Sequence, residues 1–72
     1  MQLPGLTEKE TQVYETLLYL GTASILKIAE HSGLKRPTVY LQIDELKKKG
    51  LVIQVPQGNK VLYKAVDPAR LE

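Results

Sequence analysis

The 72-residue chain contains no cysteine, and this absence excludes disulfides, thiolate zinc sites and cysteine nucleophiles. A chain without disulfides suits a reducing compartment, so we expect a cytoplasmic protein. No apolar run is longer than four residues, whereas a helix that crosses a bilayer needs about 20. Residues 1–4 also lack the basic and apolar segments that begin a secretory signal. The sequence therefore predicts no membrane association.

Charges of both signs are present, but they are unevenly distributed. Residues 1–34 contain two lysines and four glutamates, a net charge of −2. Residues 35–66 contain seven basic and two acidic residues, a net charge of +5. A basic half in a small domain indicates an anionic partner, most commonly nucleic acid.

Thr7 and Glu10 have the spacing of a capping box, which predicts the start of a first helix at residue 8. We expect Gly21 to end this helix in a left-handed conformation. A second helix of about two turns is predicted to begin after a Ser24 cap and to end at the next glycine. The apolar stripe of the first helix is formed by Val13, Tyr14, Leu17 and Leu18.

A third helix is predicted to begin with Arg36 and Pro37, where proline's missing amide is harmless because first-turn amides have no helical partner. Val39, Ile43 and Leu46 give this helix one apolar face, and three lysines suit its negative end. We expect Gly50 to end it. Only residues 33–35 connect the second and third helices, and a short glycine-containing turn is typical of a helix-turn-helix.

Beyond Gly50 the apolar period becomes that of extended chain. Residues 51–55 and 60–66 are rich in β-branched and aromatic residues, which predicts two strands of a hairpin, or wing. The turn is predicted at Pro56, Gln57, Gly58 and Asn59.

The predicted fold is therefore α+β: a winged helix-turn-helix with three helices followed by a β-hairpin. One domain is the most that this length allows, and we assign it to residues 1–66. Asp67 and Pro68 have the pattern of a helix cap and first residue. Residues 67–72 are accordingly predicted to be a linker or the start of a fourth, C-terminal helix.

Four stretches of the chain carry a family resemblance: residues 5–14; Ile28, Ala29 and Gly33; residues 36–40; and Leu46 with residues 49–52. In these stretches the chain resembles the N-terminal DNA-binding domain of the TrmB family of transcriptional regulators and, more loosely, MarR-type winged helices. The most specific stretch is residues 36–40, although Lys35 stands where the family pattern has a small residue or proline. The resemblance implies operator binding, usually as a dimer. Larger members carry a separate sugar-binding domain, so we expect no effector ligand within this domain.

Charge distribution and resemblance together predict a transcriptional regulator that binds double-stranded DNA sequence-specifically. The third helix is expected to enter the major groove, and the wing to lie on the adjacent backbone or minor groove. The candidate DNA-binding residues are Lys35, Arg36, Pro37, Thr38, Tyr40, Leu41, Glu45, Lys48, Asn59 and Lys60.

Four of these residues have specific expected roles. Arg36 is the best candidate for a bidentate contact to guanine, and a phosphate contact is nearly as good an interpretation. Thr38 can hydrogen-bond a base or a phosphate, Leu41 can meet a thymine methyl group, and Glu45 can accept from a cytosine amine.

Structural interpretations compete with these roles. A lysine run such as residues 47–49 is commonly a solvated helix end, so we expect a phosphate contact from at most one of the three. Tyr40 can pack against the wing, with its hydroxyl free for a phosphate, or lie in the core. Asn59 and Lys60 can reach the minor groove, but any exposed hairpin needs a polar turn. The other tyrosines are interpreted as structural.

No residue pattern predicts an enzyme. His31 has no partners with which to bind a metal, and Glu8, Glu10 and Glu15 lie along one helix with nothing to make them a catalytic pair. We therefore expect no catalytic residue, no metal and no cofactor.

Two other binding functions remain as alternatives. A winged helix can serve as a protein-interaction module of a transcription complex or another complex. RNA is a less favoured partner, because the deep and narrow A-form major groove does not admit a recognition helix. A homodimer is expected if DNA is the partner, since two recognition helices about 34 Å apart read successive major grooves.

Overall fold

The computed structural model describes residues 5–66. Its helices are α1 (Glu8–Leu20), α2 (Ile25–Ser32) and α3 (Arg36–Lys48), and its strands are β1 (Thr22–Ala23), β2 (Val52–Gln57) and β3 (Lys60–Ala65). Three helices followed by a hairpin confirm the predicted α+β winged helix-turn-helix. The fourth helix predicted at Asp67 and Pro68 lies outside the described residues. No helix within residues 5–66 is long and apolar enough to cross a membrane.

The predicted caps of α1 and α2 are present. The Thr7 hydroxyl accepts from the Glu10 amide at 3.1 Å, and the Glu10 carboxylate accepts from the Thr7 amide at 2.9 Å. The Ser24 hydroxyl accepts from the Lys27 amide at 3.3 Å. Lys35 precedes α3 without a side-chain cap, and Pro37 lies in the first turn, where its missing amide leaves no helical bond unmade.

The C-terminal ends of α1 and α3 differ in detail from the predicted ones. Gly21 has φ 84° and ψ −102°, which lies outside the left-handed helical region, because the chain passes directly into β1. The C-terminal cap of α3 is Lys49, whose amide bonds the Glu45 carbonyl, and Gly50 follows it. Gly33 does adopt the predicted left-handed conformation, and its amide bonds the Ala29 carbonyl at 2.9 Å. It thereby turns the chain from α2 toward α3.

The sheet contains a strand that the sequence analysis missed. The strand order is β1-β3-β2, and both pairings are antiparallel. In the short pairing, Thr22 is opposite Lys64 and Ala23 is opposite Tyr63. Two residues are too few to show an alternating pattern, so only the tertiary structure reveals β1.

The hairpin turn is tighter than predicted. Pro56 and Gln57 belong to β2, and Gln57 pairs with Lys60, so Gly58 and Asn59 alone form the loop. Gly58 has φ 61°, and no non-glycine residue among the described residues has a positive φ, which is the pattern of a type II′ turn. Pro56 is tolerated because β2 is an edge strand of the sheet.

The core lies between the three helices and the inner face of the sheet. Leu18 is the exception to the predicted stripe of α1, since it is 58% exposed. The buried apolar side chains are Leu6, Val13, Tyr14, Leu17, Ala23, Ile25, Ile28, Val39, Ile43, Leu46 and Val52.

A buried ion pair joins the start of α1 to the end of α3. The Lys49 ammonium donates to the Glu10 carboxylate at 2.8 Å and to the Gly5 carbonyl at 3.1 Å. The Glu10 side chain is only 4% exposed. Burial by itself raises the pKa of Glu10, but Lys49 and the amide and hydroxyl of Thr7 together outweigh it, so this pKa lies below its ordinary value of 4.5. The charged carboxylate therefore stabilises the folded state.

This pair predicts a specific dependence of stability on pH. Since the pKa of Glu10 is lower in the folded than in the unfolded chain, its contribution is present above pH 4.5 and is lost as the pH falls through the folded pKa. We expect Glu10→Gln to lower the free energy of unfolding at pH 7 by about 1.5 kcal/mol and to weaken the loss of stability on acidification. Urea unfolding at several pH values measures both effects. Glu8→Gln, in the same helical turn but exposed, is the control, and identical curves for the two variants would contradict the prediction.

Candidate nucleic-acid interface

The third helix presents one face to the core and another to solvent. Val39, Ile43 and Leu46 are buried, whereas Leu41 is 66% exposed. Most of the predicted contact residues are also exposed; Thr38 is half-buried. The exposed residues among them are Lys35, Arg36, Pro37, Tyr40, Leu41, Glu45, Lys48, Asn59 and Lys60.

The three lysines at the end of α3 all have partners. Lys47 donates to the Gln54 side chain at 3.0 Å, and Lys49 is held by Glu10. Lys48 lies 3.5 Å from the Asp44 carboxylate and 3.7 Å from that of Glu45, on the exposed face of the helix. Exposed pairs of this kind are weak, so Lys48 can still exchange its partners for a phosphate more readily than Lys49 can.

Basic side chains without such partners lie elsewhere. Within residues 5–66, four of the seven basic residues of the second half make no side-chain hydrogen bond or ion pair. They lie at the start of α3 and along β3. They are Lys35, Arg36, Lys60 and Lys64. Within the basic half, the positive charge that has no internal partner is therefore concentrated at the start of α3 and on the wing.

An open cleft of about 480 Å³ separates the start of α3 from the wing. Arg36 and Tyr40 of α3, three residues of β3 and the first residues of α2 together with the Ser24 cap line this cleft. The pairing of Ala23 with Tyr63 brings these first residues of α2 beside β3. The lining residues are Ser24, Ile25, Leu26, Arg36, Tyr40, Lys60, Val61 and Tyr63.

Two tyrosines face this cleft. Tyr40 lies outside the core and is 56% exposed, while Tyr63 is half-buried and packs against the core. Burial raises the pKa of Tyr63, and the nearby Tyr40 phenol raises it further. Neither hydroxyl has a hydrogen-bond partner within residues 5–66. Both are free to donate to a ligand.

Sequence reasoning found only part of this cleft. Arg36, Tyr40 and Lys60 were among the predicted contacts, whereas Tyr63 was interpreted as structural. The cap and start of α2 were predicted, but their place in the cleft was missed, because β1, which positions them, has no sequence signal of its own. Tyr63 is the third residue after Lys60 on the same strand, and this spacing is the one local feature that could have suggested an aromatic wing residue.

Other polar groups do not form a second site among the described residues. The His31 ring lies 6.0 Å from the Tyr19 ring, and no group of three or more potential metal ligands is present in residues 5–66. Glu10 is occupied by its pair with Lys49.

Comparisons with known proteins agree with this architecture. A family model described as "Sugar-specific transcriptional regulator TrmB" matches residues 1–69. The chain is 34% identical over 68 residues to the HTH-type sugar sensing transcriptional regulator TrmBL1 of Pyrococcus furiosus, covering 94% of this chain and 20% of that protein. It is 39% identical over 71 residues to an uncharacterised protein of Methanocaldococcus jannaschii, covering 93% of this chain and 59% of that protein. The chain thus spans less than two thirds of either relative.

A solved structure gives the same result. The archaeal chromatin protein TrmBL2 has a TM-score of 0.79 and 28% identity, over 96% of this chain and 26% of that one. The resemblance inferred from sequence is confirmed. The family and fold are those of transcriptional regulators, which are not enzymes.

The proximity of the two phenols predicts that Tyr40 affects the pKa of Tyr63. We expect Tyr40→Phe to lower the pKa of Tyr63, because the charge that ionised Tyr40 contributes is removed, while burial keeps this pKa above its ordinary value of 10.0. Titration of the tyrosine ring carbons by NMR measures the change. Tyr19→Phe is the matched control, since Tyr19 is 81% exposed and does not line the cleft. An unchanged Tyr63 titration in Tyr40→Phe would show that the phenols are not neighbours.

Proposed function

Because the chain belongs to the TrmB family of transcriptional regulators, we propose that it binds double-stranded DNA through α3 and the wing. The observation that carries the proposal is the position of the unpaired basic residues. Lys35 and Arg36 begin α3, and Lys60 and Lys64 lie on β3, all without a side-chain partner within residues 5–66. Phosphate contacts from such residues supply most of the sequence-independent affinity of DNA-binding proteins.

The relatives support this partner. TrmBL2 is described as an archaeal chromatin protein with a novel mode of DNA binding, and TrmBL1 as a sugar-sensing transcriptional regulator. We extend only the DNA-binding part to this chain. Sugar sensing has no counterpart in the features that residues 5–66 bring together.

In the proposed complex, the exposed face of α3 lies in the major groove. Leu41 is placed to contact a thymine methyl group, and Glu45 to accept from a cytosine amine. Thr38 is half-buried. It therefore lies at the edge of the exposed face of α3, from which its hydroxyl can contact a base or a phosphate. Pro37 and Lys48 flank this face, and Asn59 at the hairpin tip lies against the minor groove. Sequence-specific binding follows from these base contacts.

The proposal includes a homodimer in the cytoplasm. Two copies of α3 about 34 Å apart would read successive turns of the major groove. Leu18 and Tyr19 are exposed on α1, which gives that helix apolar surface for such an association.

The phosphate contacts predict a strong dependence of affinity on salt. Roughly four contacts per monomer give a slope of log K against log salt concentration near −3.6, hence about a hundredfold loss of affinity between 50 and 200 mM salt. Fluorescence anisotropy with labelled duplexes of random sequence measures this slope. Failure to bind at the lower salt concentration, together with recovery of a protein partner, would exclude the proposed function.

Substitution of single basic residues tests the proposed face. We expect Arg36→Ala to weaken DNA binding by about tenfold, whereas Lys9→Ala, an exposed change on α1 in the acidic half, leaves it nearly unchanged. The same anisotropy titrations compare the two variants at one salt concentration. Equal effects would mean that a different surface binds DNA.

A protein-interaction module is the second candidate, and the exposure of Leu41 in the middle of α3 favours it. An apolar residue at this position could dock on a protein partner as well as on a thymine methyl group. Charge argues against this candidate, because the same helix begins with Arg36, which has no ion-pair partner within residues 5–66. The random-sequence titration distinguishes the two.

A further inference from the structure

We propose that the cleft between α3 and the wing holds one phosphodiester group of the DNA backbone, bound by Arg36 of α3, by Lys60 of β3 and by the hydroxyls of Tyr40 and Tyr63. The inference rests on the proposed function and names the part of DNA that occupies this cleft. It also resolves the role of Arg36, which becomes a backbone contact instead of a guanine contact.

The charges of the cleft favour an anion. None of its eight lining residues is acidic, and its two cations come from different elements, α3 and β3. Neither cation has an ion-pair partner within residues 5–66. A phosphate between them is therefore attracted by both without displacing an internal bond.

The neutral donors of the cleft suit a phosphate as well. The hydroxyls of Tyr40 and Tyr63 have no acceptor within the described part of the chain, and a phosphodiester offers two unesterified oxygens that can accept from them. The first-turn amides of α2, at Ile25 and Leu26, have no helical acceptor, and the positive end of the helix favours an anion. Several kinds of donor thus line the same cleft.

The shape of the cleft favours a continuous chain over a small free anion. It is open to solvent, and about 480 Å³ is more room than a single phosphate fills. Ile25, Leu26 and Val61 supply apolar surface beside the donors, against which deoxyribose carbons can pack. A DNA strand that passes between α3 and the wing can place its phosphate on the donors and its sugars on the apolar side chains.

The position of Arg36 along α3 separates backbone contacts from base contacts. Arg36 and Tyr40 are four residues apart and lie on the side of the helix that faces the cleft. Leu41 and Glu45 form the next row and do not line the cleft. Bases are accordingly read by that row, while Arg36 and Tyr40 fix the register of the helix on the backbone.

Removal of the two hydroxyl groups tests the inference. Tyr40→Phe and Tyr63→Phe keep the rings and the core packing, and Tyr19→Phe removes the same atom outside the cleft. Anisotropy titrations use two duplexes of equal length, one with only A·T and one with only G·C pairs. We expect each cleft variant to bind about tenfold more weakly, as for one hydrogen bond to a charged group, by the same factor on both duplexes and with the salt slope unchanged.

The cations supply a second readout. Because Lys60 is exposed at the end of the hairpin, Lys60→Gln is expected to fold normally and to reduce the magnitude of the salt slope by about 0.9. Arg36→Gln is expected to reduce it equally, again with the same loss of affinity on both duplexes. Thermal unfolding followed by circular dichroism verifies that each variant is folded.

The outcomes separate this inference from the proposed function. If the natural chain binds neither duplex, DNA binding itself is wrong. If it binds but Tyr40→Phe and Tyr63→Phe behave like Tyr19→Phe, DNA binding stands and the phosphate position is overturned. A loss confined to the G·C duplex in Arg36→Gln also overturns it, because the arginine would then be reading guanine.

Discussion

The pairing of Ala23 with Tyr63 is the contact on which the geometry of the candidate interface depends. It belongs to a strand of only two residues, yet it joins the start of α2 to the middle of β3. Since α2 leads through a three-residue turn into α3, this contact also sets where α3 begins relative to the wing. The cleft exists because the strand holds one of its walls. The other contacts of the wing with the helices include the buried Val52, the half-buried Tyr63 and Ala65, and the hydrogen bond from Lys47 to Gln54. The Tyr14 hydroxyl also donates to the Val66 carbonyl, just beyond β3.

The lysines of this chain show why a count of basic residues is a poor guide to a binding surface. Lys49 belongs to the most conspicuous run of charge, but its ammonium is committed to Glu10 and to the Gly5 carbonyl. Its role is to fasten the end of α3 to the start of α1. Lys60, an isolated lysine at the start of β3, has no internal partner within the described residues. Lys49 would add little affinity for a ligand, because it would first have to break its pair with Glu10. An unpaired carboxylate at this buried position would destabilise the protein.

Local chemistry made most of the fold predictable. The capping box, the proline in the first turn of α3 and the apolar periods act within a few residues, so they can be seen in the sequence. What could not be predicted depends on distant contacts. The strand β1 is too short for a pattern, and Pro56 is accepted in β2 only because that strand is at the edge. The candidate site divides in the same way: Arg36, Tyr40 and Lys60 could be named from position and charge, whereas Tyr63 becomes relevant only once β1 brings α2 beside it.

The acidic residues of α3 give the proposed complex an orientation. Asp44 and Glu45 lie in the C-terminal half of the exposed face, and Lys48 offsets their charge only through weak exposed pairs. That half is repelled by phosphates, while the opposite end carries Lys35 and Arg36 and lies beside Lys60. In the proposed complex, a duplex would therefore be drawn to the N-terminal half of α3 and to the wing. With the backbone fixed there, the acidic half can enter the groove only where its carboxylates meet base amines, since a phosphate in the same place would be repelled. In the proposed complex, electrostatic repulsion at one end of the helix would thereby increase the discrimination between sequences beyond what attraction at the other end supplies.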